Sequence, residues 1–140
     1  APASAMTARS AENGLSVSAS QRDEIQRSND GLFYIDAQLG SGKARLLVDT
    51  GASHVTLSHD DAEKAISRPA SGGGSQIVTA AGAIQVDWVI IDKLELHGNV
   101  LKNVRAAIPR RDTGLSLLGQ SALVQFSSVR FDGDRLSLVQ

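Results

Sequence analysis

The sequence predicts an all-β domain, a barrel or sandwich of short strands with two short helices. Apolar and polar residues alternate with a period of two over much of the chain, the pattern of half-buried strands. Glycine-based turn signals recur between these runs, with 13 glycines in 140 residues. The 37 Leu, Ile, Val and Phe residues, about a quarter of the chain, clear the roughly 20% floor for a real core. They come in short pieces, as many-stranded folds require. The length suits one domain, which typically takes roughly 100–200 residues.

Each element follows from local chemistry. Residues 1–29 are assigned to a flexible N-terminal arm and 30–140 to the folded domain. The first twenty residues are rich in Ala and Ser, with Met6, Leu15 and Val17 as the large apolar groups. Such a stretch cannot offset its own ordering entropy. It has no apolar core segment of an intact signal peptide. Ala1-Pro2-Ala3-Ser4-Ala5 fits either the remnant beside a removed signal or anchor, or a boundary without meaning.

From residue 31, Phe33, Ile35, Ala37 and Leu39 point one way and Tyr34, Asp36 and Gln38 the other. Gly40-Ser41-Gly42 turns the chain into a second strand, Lys43–Val48, whose end Leu46-Leu47-Val48 is apolar on both faces. His54–Leu57 is a short strand. Ser58 caps a helix over His59–Ile66, with Asp60, Asp61 and Glu63 where the helix dipole favours acids. Arg68–Ser75, containing Gly72-Gly73-Gly74, is a loop. Gln76–Ala80 and Ala83–Ile91 form a hairpin around Ala81-Gly82, and Leu94 and Leu96 carry the return arm to a turn at His97-Gly98-Asn99. Val100–Ile108 is a strand stopped by Pro109. After a polar loop, Arg110–Gly114, come a short strand at Leu115–Leu118 and a helix at Gly119–Gln125. Val129 and Phe131, the turn Asp132-Gly133, then Leu136 and Leu138 make a closing hairpin.

Composition excludes several functions. With 14 basic and 15 acidic residues the net charge is −1, without the basic excess of a nucleic-acid binder. No apolar run approaches the ~20 residues of a membrane-spanning helix. There is no cysteine, so disulfides, thiolate metal sites and cysteine nucleophiles are ruled out.

One stretch carries chemistry: Leu46-Leu47-Val48-Asp49-Thr50-Gly51-Ala52-Ser53. A carboxylate follows three large apolar residues, and buried charge is costly unless paired and hydrogen-bonded. Gly51 permits a tight turn and a bare N–H toward the carboxylate, and Thr50 brings a hydroxyl that can brace the loop. A plain Asx-turn at a strand end is the structural alternative for a bare Asp-Thr-Gly. The apolar lead-in and the Ala52-Ser53 that follow favour an active carboxylate.

Val48-Asp49-Thr50-Gly51-Ala52-Ser53 resembles the active-site motif of retropepsin-type aspartic proteases. Other pieces follow in order. Asp30-Gly31-Leu32-Phe33-Tyr34-Ile35 and the hairpin after it resemble the opening strands of a bacterial family of retropepsin-like proteases. Val78-Thr79-Ala80-Ala81-Gly82 resembles the flap tip. Leu117-Leu118-Gly119 resembles the second signature, which crosses behind the catalytic loop. The match covers about residues 30–140. It implies a retropepsin-like closed β-barrel, a single-lobe acid protease fold. It also implies a homodimer with Asp49 and its symmetry mate meeting at the two-fold axis. Asp49, Thr50 and Gly51 would be the catalytic residues. An extended polypeptide substrate would lie between flap and floor, against Leu47, Ala52, Ser53, Val78–Gly82, Ile84 and Leu117–Gly119. No metal or cofactor is required. Members of the family are often periplasmic or membrane-anchored, which would put the protein on the periplasmic side, tethered only through a removed N-terminal segment.

The chain departs from the retroviral pattern in one pair. Retroviral members often carry Asp after Asp-Thr-Gly-Ala and Arg after the second-signature Gly, and these pair; here Ser53 and Gln120 stand there. That brace of the dimer is missing, so the expectation is a weak dimer. Leu136 and Leu138 on the terminal strand are expected to bury apolar surface in it.

Other candidates are weaker. A second Asp-Thr-Gly, Asp112-Thr113-Gly114, has the polar lead-in Pro109-Arg110-Arg111 and lies only 63 residues after Asp49, too few for a full lobe per aspartate. His54, His59, Asp60 and Asp61 lack the i, i+4 spacing of helical metal ligands. Gly40-Ser41-Gly42-Lys43 has Ala37 and Ala44 where a phosphate loop needs Gly and Ser or Thr. Arg105, Arg110 and Arg111 form a small basic spot on the surface. The alternative function is a non-catalytic peptide-binding or dimerisation module on the same fold, although such a module has no need of the Asp49 carboxylate.

Overall fold

The computed structural model describes residues 24–72, 75–80 and 82–140. The elements are β1 (Glu24–Gln26), β2 (Tyr34–Gln38), β3 (Lys43–Val48), β4 (Val55–Thr56), α1 (His59–Lys64) and β5 (Ser67–Pro69). They continue with β6 (Gln76–Thr79), β7 (Gly82–Leu96), β8 (Asn99–Pro109), β9 (Leu117–Leu118), α2 (Gln120–Leu123), β10 (Ser128–Asp132) and β11 (Arg135–Val139).

Six strands close into a ring. In sheet order β2, β3, β9, β4, β8 and β7 are neighbours, and β7 returns to β2 through Ala37 opposite Leu96 and Gln38 opposite Glu95. Two contacts in this ring are parallel, β3 with β9 and β4 with β8; the rest are antiparallel. Strands β5 and β6 add to β7. The ring wraps the inward face predicted from the period-two pattern: Phe33, Ile35, Ala37 and Leu39 are all buried, together with Leu46, Leu57, Ile91, Leu94, Leu96, Leu101 and Leu118. The all-β class therefore holds, with the strands closed into a ring.

The long hairpin β7–β8 turns at His97 and Gly98, with φ of 47° and 81°. Two left-handed residues match the twist of the flanking strands, so Gly98 suits its position. Helix α1 starts where expected: the Ser58 hydroxyl accepts from the Asp61 N–H at 3.2 Å, and Asp60 and Asp61 stand in the first turn. It ends at Lys64, short of the predicted Ile66.

Three expectations change. Glu24–Gln26, assigned to the arm, is a strand: it pairs with β11, with Ile25 buried opposite Leu136. A single apolar residue between polar ones gives no periodic signal, yet the sheet edge supplies its hydrogen bonds. Arg27 and Ser28, also assigned to the arm, donate their N–H groups to the Asp134 and Leu32 carbonyls, each at 2.8 Å, and residues 1–23 lie outside the described residues. Ser67–Pro69, overlapping the loop expected from Arg68, pairs with Val89–Ile91. It is an exposed edge strand, so no apolar alternation marks it, and Pro69 sits at its end, where a missing N–H is tolerated. The terminal turn lies at Gly133-Asp134, one residue later than predicted, because Asp132 pairs with Arg135.

The terminal strands form a second sheet, ordered β10-β11-β1. Leu136 and Leu138, expected at a dimer interface, are fully buried within their own chain. Sheet and ring share one core, and the inward face of β11 is used up by the chain itself. The exposed apolar groups of this sheet are Phe131 and Val139. Truncating Leu136 to Ala should therefore cost about 2–5 kcal/mol of folding stability. Denaturant unfolding should show the same loss at every protein concentration; a loss that disappears on dilution would return Leu136 to an interface.

Candidate active site

Asp49 follows the last residue of β3, a central strand gripped on both sides. The Val48 N–H donates to the Phe33 carbonyl at 2.9 Å. On the other side the Leu47 N–H donates to Ser116 at 2.9 Å and the Asp49 N–H to Leu118 at 3.1 Å. The carboxylate is thus carried by a backbone that cannot shift without breaking two ladders. Beyond it the chain turns: the Ala52 N–H donates to the Asp49 carbonyl at 3.1 Å, and the Gly51 N–H to the Asp49 carboxylate at 3.0 Å. The bare amide expected of Gly51 faces the carboxylate. Asp49 is half-buried, and Leu47 and Val48 are half-buried rather than deeply enclosed, since this end of the strand opens at the surface of a single chain.

The loop is held from behind by the segment that opens α2. The Gln120 N–H donates to Ala52 at 2.8 Å, the Gln120 side-chain amide to the Thr50 carbonyl at 2.8 Å, and the Ser121 N–H to Ser53 at 3.0 Å. Gly119 makes this approach possible: a Cβ there would sit 2.3 Å from the His54 carbonyl oxygen and 2.8 Å from that of Ala52. The glycine is required by contact, not by its backbone angles. Gln120 is thus a site residue that the sequence marks only as a missing arginine. An amide two positions past Leu118, aimed at a loop of free carbonyls, was the available signal.

The other predicted residues divide. Leu47 and Leu117 lie side by side in parallel register and half-buried, Ala52 is half-buried and Ser53 exposed. Thr50 is exposed, and it is the Thr50 carbonyl that ties the loop. Leu118 is fully buried and Gly119 buried, so both act on the loop from inside and cannot line a surface open to substrate. On the hairpin β6–β7, Val78 stands almost fully exposed, Ala80 and Gly82 are exposed, and Thr79 and Ile84 are half-buried. Thr79 faces Gly82 in register and its hydroxyl donates to the Gly82 carbonyl at 2.8 Å. Ala81 lies outside the described residues.

The second Asp-Thr-Gly is built differently. The Asp112 carboxylate accepts from the Gly114 N–H at 3.0 Å and from the His59 N–H at 3.2 Å, where α1 begins. Asp112 and Gly114 are exposed, in a loop that no strand grips. The two backbone donors, Gly114 first, hold its pKa below the ordinary 3.8. It is an Asx-turn that also ties the helix start. Among the described residues no three His, Asp or Glu side chains converge on a site for a metal ion.

Residues 35–125 match the family described as "gag-polyprotein putative aspartyl protease". The chain belongs to the retropepsin-like aspartic protease family. It is similar to the crystal structure of a retropepsin-like aspartic protease from Rickettsia conorii, with a TM-score of 0.63 and 32% identity, covering 82% of this chain and 86% of that one. Among curated proteins it is 34% identical over 115 residues to the uncharacterized protein RP867 of Rickettsia prowazekii (strain Madrid E), 81% of this chain and 49% of the relative. It is 29% identical over 116 residues to an uncharacterized protein in the cobV 5' region of Sinorhizobium sp, 81% of this chain and 50% of that protein. The chain spans about half the length of these curated relatives.

Two outcomes follow from this geometry. Gly119→Ala forces a methyl into two backbone carbonyls that cannot rotate away, and should cost about 3 kcal/mol or more, since overpacking alone costs typically 1–3; equilibrium unfolding measures it. Asp112→Ala removes a carboxylate whose pKa is lowered on folding. Its contribution is present above the unfolded value of 3.8 and fades as pH falls through the folded one. The variant should be less stable than wild type at neutral pH, with the gap closing in strong acid. A gap that persists unchanged at the lowest pH would contradict the assignment.

Proposed function

We propose that the protein is an aspartic endopeptidase that works as a homodimer, with the two Asp49 carboxylates as its reacting groups. The observation that carries this reading is Asp49 itself. It is the acid of a loop pinned by two strands, by the Gly51 amide and by the start of α2. A carboxylate fixed this firmly, yet left half-exposed, suits chemistry better than structure.

Peptide hydrolysis of this type needs a general base and a general acid together. Each chain supplies one suitable aspartate, because Asp112 is exposed in a loop and its Oδ1 accepts from the Gly114 and His59 amides. Two like charges about 3 Å apart repel, so the two Asp49 carboxylates would hold one proton between them, as the two aspartates of pepsin do. The ionised member takes a proton from a bound water, and the protonated member donates to the scissile carbonyl oxygen. The water oxygen bonds to the carbonyl carbon, giving a tetrahedral diol that collapses as the C–N bond breaks and the amine leaves with a proton. No covalent intermediate and no metal is involved. An extended polypeptide adds as a strand beneath the β6–β7 hairpin, held by backbone hydrogen bonds. Half-buried Leu47, Leu117 and Ile84 offer apolar contact to its side chains.

For the dimer, the terminal sheet is the natural contact. Among the described strands β1 and β10 each pair on one side only, and Phe131 and Val139 are exposed beside them.

Digestion of a peptide library tests the reading. Asp49→Asn should abolish cleavage, a loss of about 10²–10⁴-fold or more for one acid–base group, while the fold survives. Asp112→Asn should keep most of the activity; equal loss in both variants would favour a one-chain dyad. The rate should be bell-shaped in pH, and a rate climbing steadily into alkali would rule out paired carboxylates. Specific activity should rise with enzyme concentration before levelling, and excess Asp49→Asn chains should suppress wild type. Full activity at nanomolar enzyme, with only monomer in sedimentation, would end the two-chain mechanism.

A further inference from the structure

Next to the Asp49 loop, three side chains from three segments stack on one another. His54, directly after Ser53, sets its ring edge-on to Trp88 of β7, with centroids 4.7 Å apart and planes at 67°. Arg105 of β8 lays its guanidinium over the same indole, 4.6 Å from the Trp88 ring centre. That guanidinium also donates to the carbonyls of Ser71 at 3.1 Å and Gly72 at 2.7 Å, in the segment that leads into β6. A further bond joins that segment to the stack, from the Ala70 N–H to the Trp88 carbonyl at 3.0 Å.

The base of the stack is tied to the pinned loop. The Ser121 hydroxyl accepts from the Val55 N–H at 2.9 Å and donates to the Arg105 carbonyl at 2.7 Å. One side chain of α2 therefore fixes the exit of the Asp49 loop and the backbone of Arg105 at once. Both legs of the β6–β7 hairpin converge here: β7 through Trp88, and the approach to β6 through Ser71 and Gly72. A cation on the face of an indole is favourable, and a planar guanidinium keeps five donors for carbonyls while it stacks.

We propose that His54, Trp88 and Arg105 are positioning residues that couple the root of the β6–β7 hairpin to the Asp49 loop, and so set how the hairpin closes over a peptide. The proposal rests on the peptidase reading for its consequence, though not for its geometry. Arg105 is the keystone, since of the three side chains it touches both hairpin legs. Without it the hairpin root loses two carbonyl anchors and the cation over Trp88, whereas the ladders that hold Asp49 stay intact. Substrate capture should suffer and the chemical step should not. The surroundings favour an uncharged His54: partial burial first, and the Arg105 charge second, press its pKa below the ordinary 6.5. A neutral ring stacks beside the cation without repulsion.

The test uses the full chain with Arg105→Leu and the conservative Arg105→Lys, read three ways. Amide hydrogen exchange should speed up by ~10-fold or more around Ser75–Val86 and also at Val55, with the far end of β7–β8 unchanged. Exchange confined to residues 70–72 would overturn the coupling and leave a simple loop tether. Trp88 is the chain's only tryptophan, so its emission reports the stack directly, and it should change in Arg105→Leu and return toward wild type in Arg105→Lys. An emission spectrum untouched by loss of the guanidinium would also overturn it. On a cleaved library peptide, KM should rise ~10-fold in Arg105→Leu with kcat within about 2-fold of wild type, and Arg105→Lys should lie between. A fall in kcat at constant KM would contradict a positioning role. Should Arg105→Leu fail to fold, Arg105→Lys carries all three measurements. If wild type cleaves nothing, or Asp49→Asn cleaves as well as wild type, the peptidase reading fails, while exchange and emission still decide the coupling.

Discussion

The structure depends on one crossing of backbones. Strand β3 ends at the loop 49–53, and the chain from Ser116 to Ser121 runs against its end and then beneath the loop. Hydrogen bonds from Leu47 to Ser116 and from Asp49 to Leu118 join the two, and bonds from Gln120 and Ser121 to the carbonyls of Thr50, Ala52 and Ser53 complete the joint. Contact this close is open only to glycine at position 119. The carboxylate thus inherits the rigidity of the core. Leu118, fully buried, anchors one side, and the closed ring of strands leaves β3 no edge along which to slip. Geometry fixed before a ligand arrives is what an electrostatic site requires, because no reorganisation remains to be done at the reacting moment.

The two Asp-Thr-Gly tripeptides separate motif from context. Both place a backbone amide, that of Gly51 or Gly114, 3.0 Å from their carboxylate. The same short side chain and glycine make that bond in both, although Gly114 takes a left-handed φ of 71° and Gly51 no positive φ. The larger difference is the approach. Leu46-Leu47-Val48 makes a strand and is gripped on both sides, whereas Pro109-Arg110-Arg111 leads into exposed loop, so Asp112 serves the start of α1. The apolar lead-in was the discriminating signal, and it was physical: buried strands carry their ends into fixed positions.

Legibility from sequence followed the same line. Strands with one buried face announced themselves, as Phe33, Ile35, Ala37 and Leu39 show. The helix start at Ser58 was readable because capping is local chemistry. Strands held only by an edge were silent: Ser67–Pro69 has no buried residue, and Glu24–Gln26 has one. The terminal leucines misled for a further reason. An apolar alternation says that a face is covered, not by what, and Leu136 and Leu138 are covered by their own chain. Gln120 was legible only as a missing arginine, since its value lies in aiming one amide at the Thr50 carbonyl, 70 residues away in sequence.

This placement bears on how assembly relates to folding. With β11's inward face spent on the chain's own core, and the Asp49 loop braced by Gln120 of the same chain, the loop geometry is complete within one chain, and in the proposed dimer each copy would bring a finished half of the site. Where the retroviral pattern pairs Asp with Arg, this chain has Ser53 exposed and Gln120 turned inward to Thr50. Bringing two such protomers together then need not create the loop geometry; it need only juxtapose two loops already formed. Association of preformed partners avoids the ordering cost that coupled folding and binding carries. In the proposed dimer, a modest apolar contact of the kind Phe131 and Val139 present beside the open edges of the terminal sheet would then be enough to hold a dissociable pair. On the proposed two-chain reading, control would reside in protomer concentration, since the loop is already formed in one chain and the second carboxylate would come from the other.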